Sequence, residues 1–348
     1  MTHPQDVLLQ AQGGSHVLPV CDHYSGVPAR MEKSLQLQAQ WAARMGVCVF
    51  DVTLDCEDGA PVGDELRHAK TVVELIQSAV TAPEFVAIEQ VPRIGVRVHA
   101  LDHPAFAHDV QTIVGAVGGH LAYVMVPKVE SVRDVQTAVA HIDAAVIAAG
   151  AVLAAPLPLH VLIESPLAVR HVWEIAAHPR VQSVSFGLMD FVSAHGGAIP
   201  QSAMGVAGLG STDLDQFHHP LVLRAKLEIA SACHAYGKVP SHCVVTEFRR
   251  PDVLRAAASH AHRALGYSRM WSIHPDQIEP IVQAFAPSDD EIAQAADVLR
   301  IAQAADWAPI AVQGRLHDRA SYRYFWHVLQ RAHHGGRVMP AHAQSYFA

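Results

Sequence analysis

Eight short apolar runs recur along roughly the first 275 residues, and nearly all lead into a longer stretch whose apolar positions have helical spacing. The runs are His16–Cys21, Val47–Leu54, Ile94–His99, Ala122–Pro127, His160–Ile163, Ser183–Gly187, Val239–Val245 and Met270–His274. Apolar runs with little alternation suit strands covered on both faces, as parallel strands under helices are. The intervening helical patterns are Met31–Met45, Arg67–Val80, Ser131–Ala149, Pro166–Ala177, Pro220–Tyr236 and Pro251–Leu265. Pro166 opens its helix at the first turn, where proline is tolerated. Gly237 and Gly266 follow the ends of theirs as C-caps. Strand–helix repetition eight times over predicts an α/β chain folded as a (β/α)8 TIM barrel. The competing doubly wound sheet lacks the Gly-x-Gly-x-x-Gly turn expected after its first strand.

The beat stops after Pro275. Ser288-Asp289-Asp290-Glu291 has the capping-box pattern and opens a helix to about Ala305. Trp307–Gln313, a turn at Gly314 and a helix from about Arg319 to His333 follow, with no strand expected. The expected division is a barrel over 1–286 and a C-terminal α-helical extension or lid over 287–348, whose last dozen residues are loose or lie on a partner chain. No run reaches the ~20 apolar residues of a membrane span, and Met1–Gln12 lacks a signal-peptide pattern, so no membrane association is expected. The net charge is −8 and the basic residues are scattered, which argues against nucleic acid as a partner. The five cysteines are odd in number and none has Cys-x-x-Cys spacing, which favours a reducing cytoplasm over a disulfide framework.

Catalytic groups of such a barrel sit at the C-terminal ends of its strands. Those ends read Asp55-Cys56-Glu57-Asp58-Gly59, Arg97 with His99, Pro127-Lys128-Val129-Glu130, Glu164-Ser165-Pro166, Gly187-Leu188-Met189-Asp190 and Ile273-His274-Pro275. Several carboxylates facing one cavity repel each other and are driven toward protonation unless a hard divalent cation relieves them. Mg2+ takes one or two carboxylates and keeps positions open for water and substrate oxygens. Glu164 and Asp190, from neighbouring strands, are the most economical ligands. Glu57 and Asp58 are expected to hold metal-bound waters from outside. Arg97 faces them with a planar fork suited to a carboxylate or a developing enolate. Each residue also has an ordinary reading. Glu130 or Asp190 can cap a helix, Asp58-Gly59 can be a turn, and Arg97 can form a structural ion pair. His99, His242 and His274 read more readily as satisfied histidines than as ligands.

With these segments in their order and spacing, the chain from about His16 to Pro287 resembles the HpcH/HpaI aldolase and citrate lyase beta-subunit family, closest to its CitE-like branch. The segments are Leu54-Asp55-Cys56-Glu57-Asp58-Gly59, Val96-Arg97-Val98, Val126-Pro127-Lys128-Val129-Glu130-Ser131, Ile163-Glu164-Ser165-Pro166, Phe186-Gly187-Leu188-Met189-Asp190 and Ile273-His274-Pro275-Asp276-Gln277-Ile278. The resemblance implies a trimeric or hexameric TIM barrel with Mg2+ on Glu164 and Asp190, and Arg97 on a substrate carboxylate or enolate oxygen. It implies a CoA thioester such as malyl-, citramalyl- or citryl-CoA as substrate, cleaved to a 2-oxo acid and an acyl-CoA. Glu57, Asp58, Gly187 and Met189 are the expected substrate-binding neighbours. Gln313-Gly314-Arg315-Leu316-His317-Asp318 looks like the family's lid segment, which implies for Asp318 an acid–base role in a neighbouring subunit's site. An ordinary N-cap is the alternative for Asp318.

Two departures stand against the family pattern. Arg269-Met270 occupies the place of a Gly-Lys pair, and Ser241-His242 that of an Ile-Asp pair. Both are expected near the CoA or substrate mouth. They keep open a class II aldolase acting on free hydroxy-oxo acids with pyruvate, and a non-catalytic barrel that binds an acyl-CoA or organic acid. Arg97→Ala is expected to cut turnover by orders of magnitude with the fold intact.

Overall fold

Eight parallel strands close on themselves in sequence order. They are β1 Cys21–Ser25, β2 Phe50–Asp55, β3 Ile94–Arg97, β4 Leu121–Val126, β5 Leu159–Ile163, β6 Val181–Phe186, β7 Val239–His242 and β8 Arg269–Ser272, with β1 paired to both β2 and β8. The computed structural model describes residues 3–9, 18–87, 91–207 and 214–347. Helices Pro28–Met45, Glu65–Val80, Val132–Ala148, Pro220–Ala235 and Pro251–Arg263 cover the strands. Gly46, Gly237 and Gly266 follow three of these ends with positive φ, where a Cβ would be strained. The stretch expected as one helix from Pro166 to Ala177 is two, Pro166–Arg170 and Val172–Ala177, separated at His171.

One strand lies elsewhere than expected. The run His16–Cys21 is not β1. His16 and Val17 lie outside the described residues, and the strand begins at Cys21. Its sequence, Cys-Asp-His-Tyr-Ser, has no apolar run because two of its side chains point into a polar barrel interior. Asp22 accepts from Thr53 Oγ1 at 2.6 Å and pairs with Arg269 at 3.0 Å. Arg269 Nη1 also meets Asp51 at 2.6 Å, and Arg93 Nε meets the other oxygen of Asp51 at 2.6 Å. Asp22, Asp51 and Arg269 are each at most 1% exposed. Burial disfavours the Asp51 carboxylate, but the two guanidiniums outweigh it and hold its pKa below the ordinary value.

This overturns the placement of Arg269 at the mouth. Arg269 is the first residue of β8, at the entry end of the strand, and serves as the counter-ion of the interior aspartates. Ser241 is buried, and His242 stacks on Phe217 with ring centroids 5.5 Å apart and meets Tyr267 edge-on.

The chain divides into two compact units, one over Leu18–Phe285 and one formed by Met1–Val17 with Ala286–Ala348. The N-terminal residues, expected with the barrel, thus group with the C-terminal segment. Leu8 and Leu9 share an apolar cluster with Leu299, Trp326 and Leu329, and the His3 ring meets Trp326 edge-on at 5.5 Å. In this unit Ser288 and Glu291 complete the capping box of helix Asp289–Ala304. The expectation of helices without strands is corrected by an antiparallel hairpin, β9 Ile310–Val312 and β10 Arg315–His317. Gln313 and Gly314, both at positive φ, form its two-residue turn. The final dozen residues are not loose as far as they are described. Met339, Ala343 and Tyr346 are buried in the same cluster around the short helix Ala341–Gln344.

Candidate active site

The inward positions at the exit ends of the strands bring Tyr24, Asp55, Arg97 and Glu164 to one rim, and the segments that follow add Glu57, Asp58, Lys128 and Asp190. Arg97 lies opposite Asp55 in the β2–β3 register and is 3% exposed. A guanidinium has five N–H donors. Nε meets Asp55 Oδ1 at 2.6 Å, Nη2 meets Asp55 Oδ2 at 2.9 Å and the Tyr24 hydroxyl, and Nη1 meets Glu57 Oε2 at 3.0 Å. Three N–H groups are thereby hydrogen-bonded, and Nη1 faces Glu57 as an ion pair without a hydrogen bond. Burial opposes the charge on Arg97, but Asp55, Tyr24 and Glu57 hold it firmly protonated.

Lys128 joins the two halves of the site. It sits at φ 54, a conformation rare for a residue with a Cβ and found chiefly where surroundings enforce it. Its backbone N–H donates to Glu164 Oε2 at 2.6 Å. Its ammonium meets Glu57 Oε1 at 2.5 Å and Asp58 Oδ2 at 3.4 Å.

Glu164 is 5% exposed. Burial, opposed by Arg97 and the Lys128 amide and aided by the negative charges of Asp190 and Glu57, pushes its pKa up to about 8. Its place depends on Gly187, which directly follows β6 and whose N–H donates to the Ile163 carbonyl at 3.0 Å, just past the β5–β6 ladder. A Cβ on Gly187 would clash with Glu164 Oε1. Asp190 is half-buried in the helix Leu188–Ser193 that starts directly after Gly187. Five carboxylates (Asp55, Glu57, Asp58, Glu164 and Asp190) thus share a rim with two cations, Arg97 and Lys128. The surplus of negative charge concentrates at Glu164 and Asp190, which suits a hard cation with oxygen ligands. Among the described residues no group of three or more His, Cys, Asp or Glu is assembled as a metal cage.

Of the residues expected at the site, Arg97, Glu57, Asp58, Glu164, Gly187 and Asp190 come together on this rim. Met189 packs half-buried against the apolar core. Asp318 caps helix Arg319–His334, its Oδ1 accepting from the Ala320 and Ser321 amides at 2.9 and 3.3 Å. Glu130 accepts from Ser165 Oγ at 2.7 Å, and the cap of helix Val132–Ala148 is Ser131 with Asp134. His99 is held by the buried Asp109, Nδ1 to Oδ2 at 2.6 Å. Tyr24 was not foreseen, because it lay beyond the strand as read. The part played by Lys128 depends on a left-handed backbone that its residue type gives no sign of.

Comparison with known proteins identifies relatives of this chain. The chain is 28% identical over 298 residues to an L-malyl-CoA/beta-methylmalyl-CoA lyase of Cereibacter sphaeroides, covering 81% of this chain and 86% of that protein. It is 26% identical over 271 residues to a malyl-CoA/beta-methylmalyl-CoA/citramalyl-CoA lyase of Chloroflexus aurantiacus, covering 72% and 74%. A crystal structure of a citrate lyase from Burkholderia xenovorans superposes with a TM-score of 0.81 at 47% identity and covers all of both chains. The CitE protein of Mycobacterium tuberculosis, solved with magnesium, acetoacetate and coenzyme A, shares the fold with a TM-score of 0.61 at 20% identity, covering 90% of this chain and 97% of that one. The model of the HpcH/HpaI aldolase/citrate lyase family matches residues 37–275, most of the chain, and the chain belongs to that family.

Proposed function

We propose that this barrel is a carbon–carbon lyase that cleaves a hydroxyacyl-CoA thioester, such as malyl-, citramalyl- or citryl-CoA, into a 2-oxo acid and an acyl-CoA. The observation that carries this reading is the opposition of two acids, Glu164 and Asp190, to a guanidinium whose Nε and Nη2 are committed to Asp55 and Tyr24 and whose Nη1 is not hydrogen-bonded. Glu164 and Asp190 would hold Mg2+ or another hard divalent ion, which would supply Lewis-acid polarisation to the oxo-acid half. The raised pKa of Glu164 fits this assignment, since a bound dication relieves the repulsion that burial and Asp190 create. Glu57 and Asp58, steadied by Lys128, orient water around that position.

The commitment of Arg97 Nε and Nη2 favours one of the two roles expected for it. A bidentate grip on a substrate carboxylate needs two parallel N–H groups, and Asp55 already takes them. One N–H suffices for a single enolate oxygen. Arg97 therefore stabilises the enolate that the acyl thioester becomes when the carbon–carbon bond breaks. The hydroxyl proton leaves to a base, the electron pair of the broken bond passes into the thioester half, and a proton returns to its α-carbon. Asp318 is the base we assign. Both of its cap bonds use Oδ1, so Oδ2 is the oxygen available for proton transfer. Acting from a neighbouring subunit, it requires an oligomer, a trimer or a hexamer.

The deciding experiment assays malyl- and citramalyl-CoA, and the corresponding free acids, with Mg2+ and with EDTA. Metal-dependent release of a 2-oxo acid from thioesters alone is expected. Turnover of free acids without CoA would replace this reading with a class II aldolase. Calorimetric binding with no turnover at any metal concentration would make the barrel a non-catalytic binder.

A further inference from the structure

One side of the mouth is walled by stacked planar groups whose apolar surfaces the reaction above does not use. Tyr24, pointing inward from β1, lies between the Arg97 guanidinium, 4.6 Å from its ring centroid, and the Trp271 indole, stacked at 5.3 Å and 25°. Each plane is pinned at its edge. Asp55 holds Arg97. The Tyr24 hydroxyl engages both Arg97 and Asp55. The Trp271 indole N–H donates to Ser185 Oγ at 3.0 Å. Stacked rings with their polar ends committed are stiff and present only apolar surface. Trp271 is 7% exposed and closes the inner end, while Tyr24 is the more accessible of the two.

Tyr24 and Arg97 belong to β1 and β3, the acids Glu164 and Asp190 follow β5 and β6 on the far side of the closed ring, and Trp271 of β8 reaches over to Ser185 of β6 between them. A substrate that spans the mouth sets its oxo-acid half against the acids and its acyl carbon against the wall, beside Arg97. We propose that Tyr24 and Trp271 determine acyl specificity, admitting hydrogen or methyl on the carbon that becomes the enolate and excluding longer chains. This deepens the thioester reading and rests on it. Tyr24 has a second effect as a positioning residue, because its hydroxyl takes the Arg97 donor that would otherwise turn toward the ligand.

The test runs wild type, Trp271→Leu and Tyr24→Phe in the condensing direction with glyoxylate and acetyl-, propionyl- or butyryl-CoA, and titrates the same thioesters calorimetrically. A methylene against an apolar wall is worth roughly 10-fold or more in kcat/KM. Wild type is expected to lose at least about that factor between propionyl- and butyryl-CoA, and Trp271→Leu to recover most of it. Tyr24→Phe, which keeps the ring, is expected to retain the size preference and lower kcat. Indifference of the wild type to chain length would overturn the proposal, as would an unchanged ratio in a folded Trp271→Leu. If that variant does not melt cooperatively, Trp271→Phe takes its place. Thioesters that bind without turnover leave the size ranking readable from their affinities. Failure of all three to bind would remove the thioester reading itself, and this inference with it.

Discussion

Arg97 shows how much of a site rests on one side chain. The sequence marks it out, since an arginine inside an apolar run needs a partner, but not which partner, because Asp55 is 42 residues away. The structure changes what its removal would do. Arg97→Ala strands the buried Asp55 and leaves Glu57 with Lys128 alone, so the variant loses stability as well as activity, by about 3–5 kcal/mol for a broken buried pair. Arg97→Lys keeps the charge without the fork. It is expected to fold with a modestly lower Tm and to lose about 10²–10³ in kcat, because a single ammonium cannot hold Asp55 and meet the enolate together. Full kcat in that variant would contradict the enolate role. Gly187 offers a separate check. Its backbone is ordinary, so Gly187→Ala brings no conformational strain, only a methyl group inside the Glu164 carboxyl. Displacing a catalytic group by about 1 Å costs on the order of 100-fold in rate. Gly187→Ala should lose about that much turnover and bind Mg2+ more weakly, with its melting temperature nearly unchanged.

At the scale of elements, seven strands were legible because parallel strands under helices are apolar along their whole length. The same logic hid β1, whose inward Asp22 and Tyr24 make it look like a loop until Arg269 and Arg97 are seen across the barrel. It also misplaced Arg269, since a cation near the Ile273-His274-Pro275 rim segment reads as a mouth residue, although it stands at the opposite end of β8. The hairpin of β9 and β10 has three residues per strand, too few to show a period. Helix Pro220–Ala235 carries a further feature that periodicity conceals, a lysine on its buried face. Lys226 is fully buried, lies 4.1 Å over the Phe217 ring, and donates to Gln216 Oε1 at 2.8 Å. Burial, only partly offset by Cys243 and Asp215, lowers its pKa to about 8. The unfolded chain therefore binds a proton there that the folded chain lacks between pH 8 and the ordinary lysine pKa of about 10.4. Stability from this group is full above that window and is lost as pH falls through 8. Lys226→Met is expected to be more stable than wild type by roughly 1–3 kcal/mol at pH 7, with the two denaturation midpoints converging toward pH 10.5. A pH-independent difference would show that Lys226 does not titrate in this range.

For the whole molecule, the decisive property is that two hydrophobic clusters are built from different parts of the chain. The barrel core is drawn from the Leu18–Phe285 unit, and the second cluster from both chain ends. Metal should act on the first alone. A ligand at 100 times its Kd stabilises the folded state by about 2.7 kcal/mol, which for a unit of this size is a Tm rise of roughly 5–10 °C. Mg2+ should therefore slow hydrogen exchange in β5 and β6 and leave helix Arg319–His334 unaffected. Glu164→Gln should abolish the effect. The second cluster answers to a different change. Leu8 and Leu9 are 4% and 6% exposed, and His3 Nε2 donates to the Tyr346 carbonyl at 2.9 Å. Burying a leucine is worth about 1.5–3 kcal/mol, so removing the pair forfeits up to about 3–6 kcal/mol from the unit that carries Asp318. A variant lacking the first nine residues is expected to exchange faster throughout helix Arg319–His334, to keep the Mg2+ protection of β5 and β6, and to lose turnover more than Mg2+ affinity. If Asp318 is the base, binding and chemistry separate along this line of the chain. A truncated protein that keeps full turnover while that helix exchanges freely would remove Asp318 from the reaction and leave the barrel rim to complete it alone.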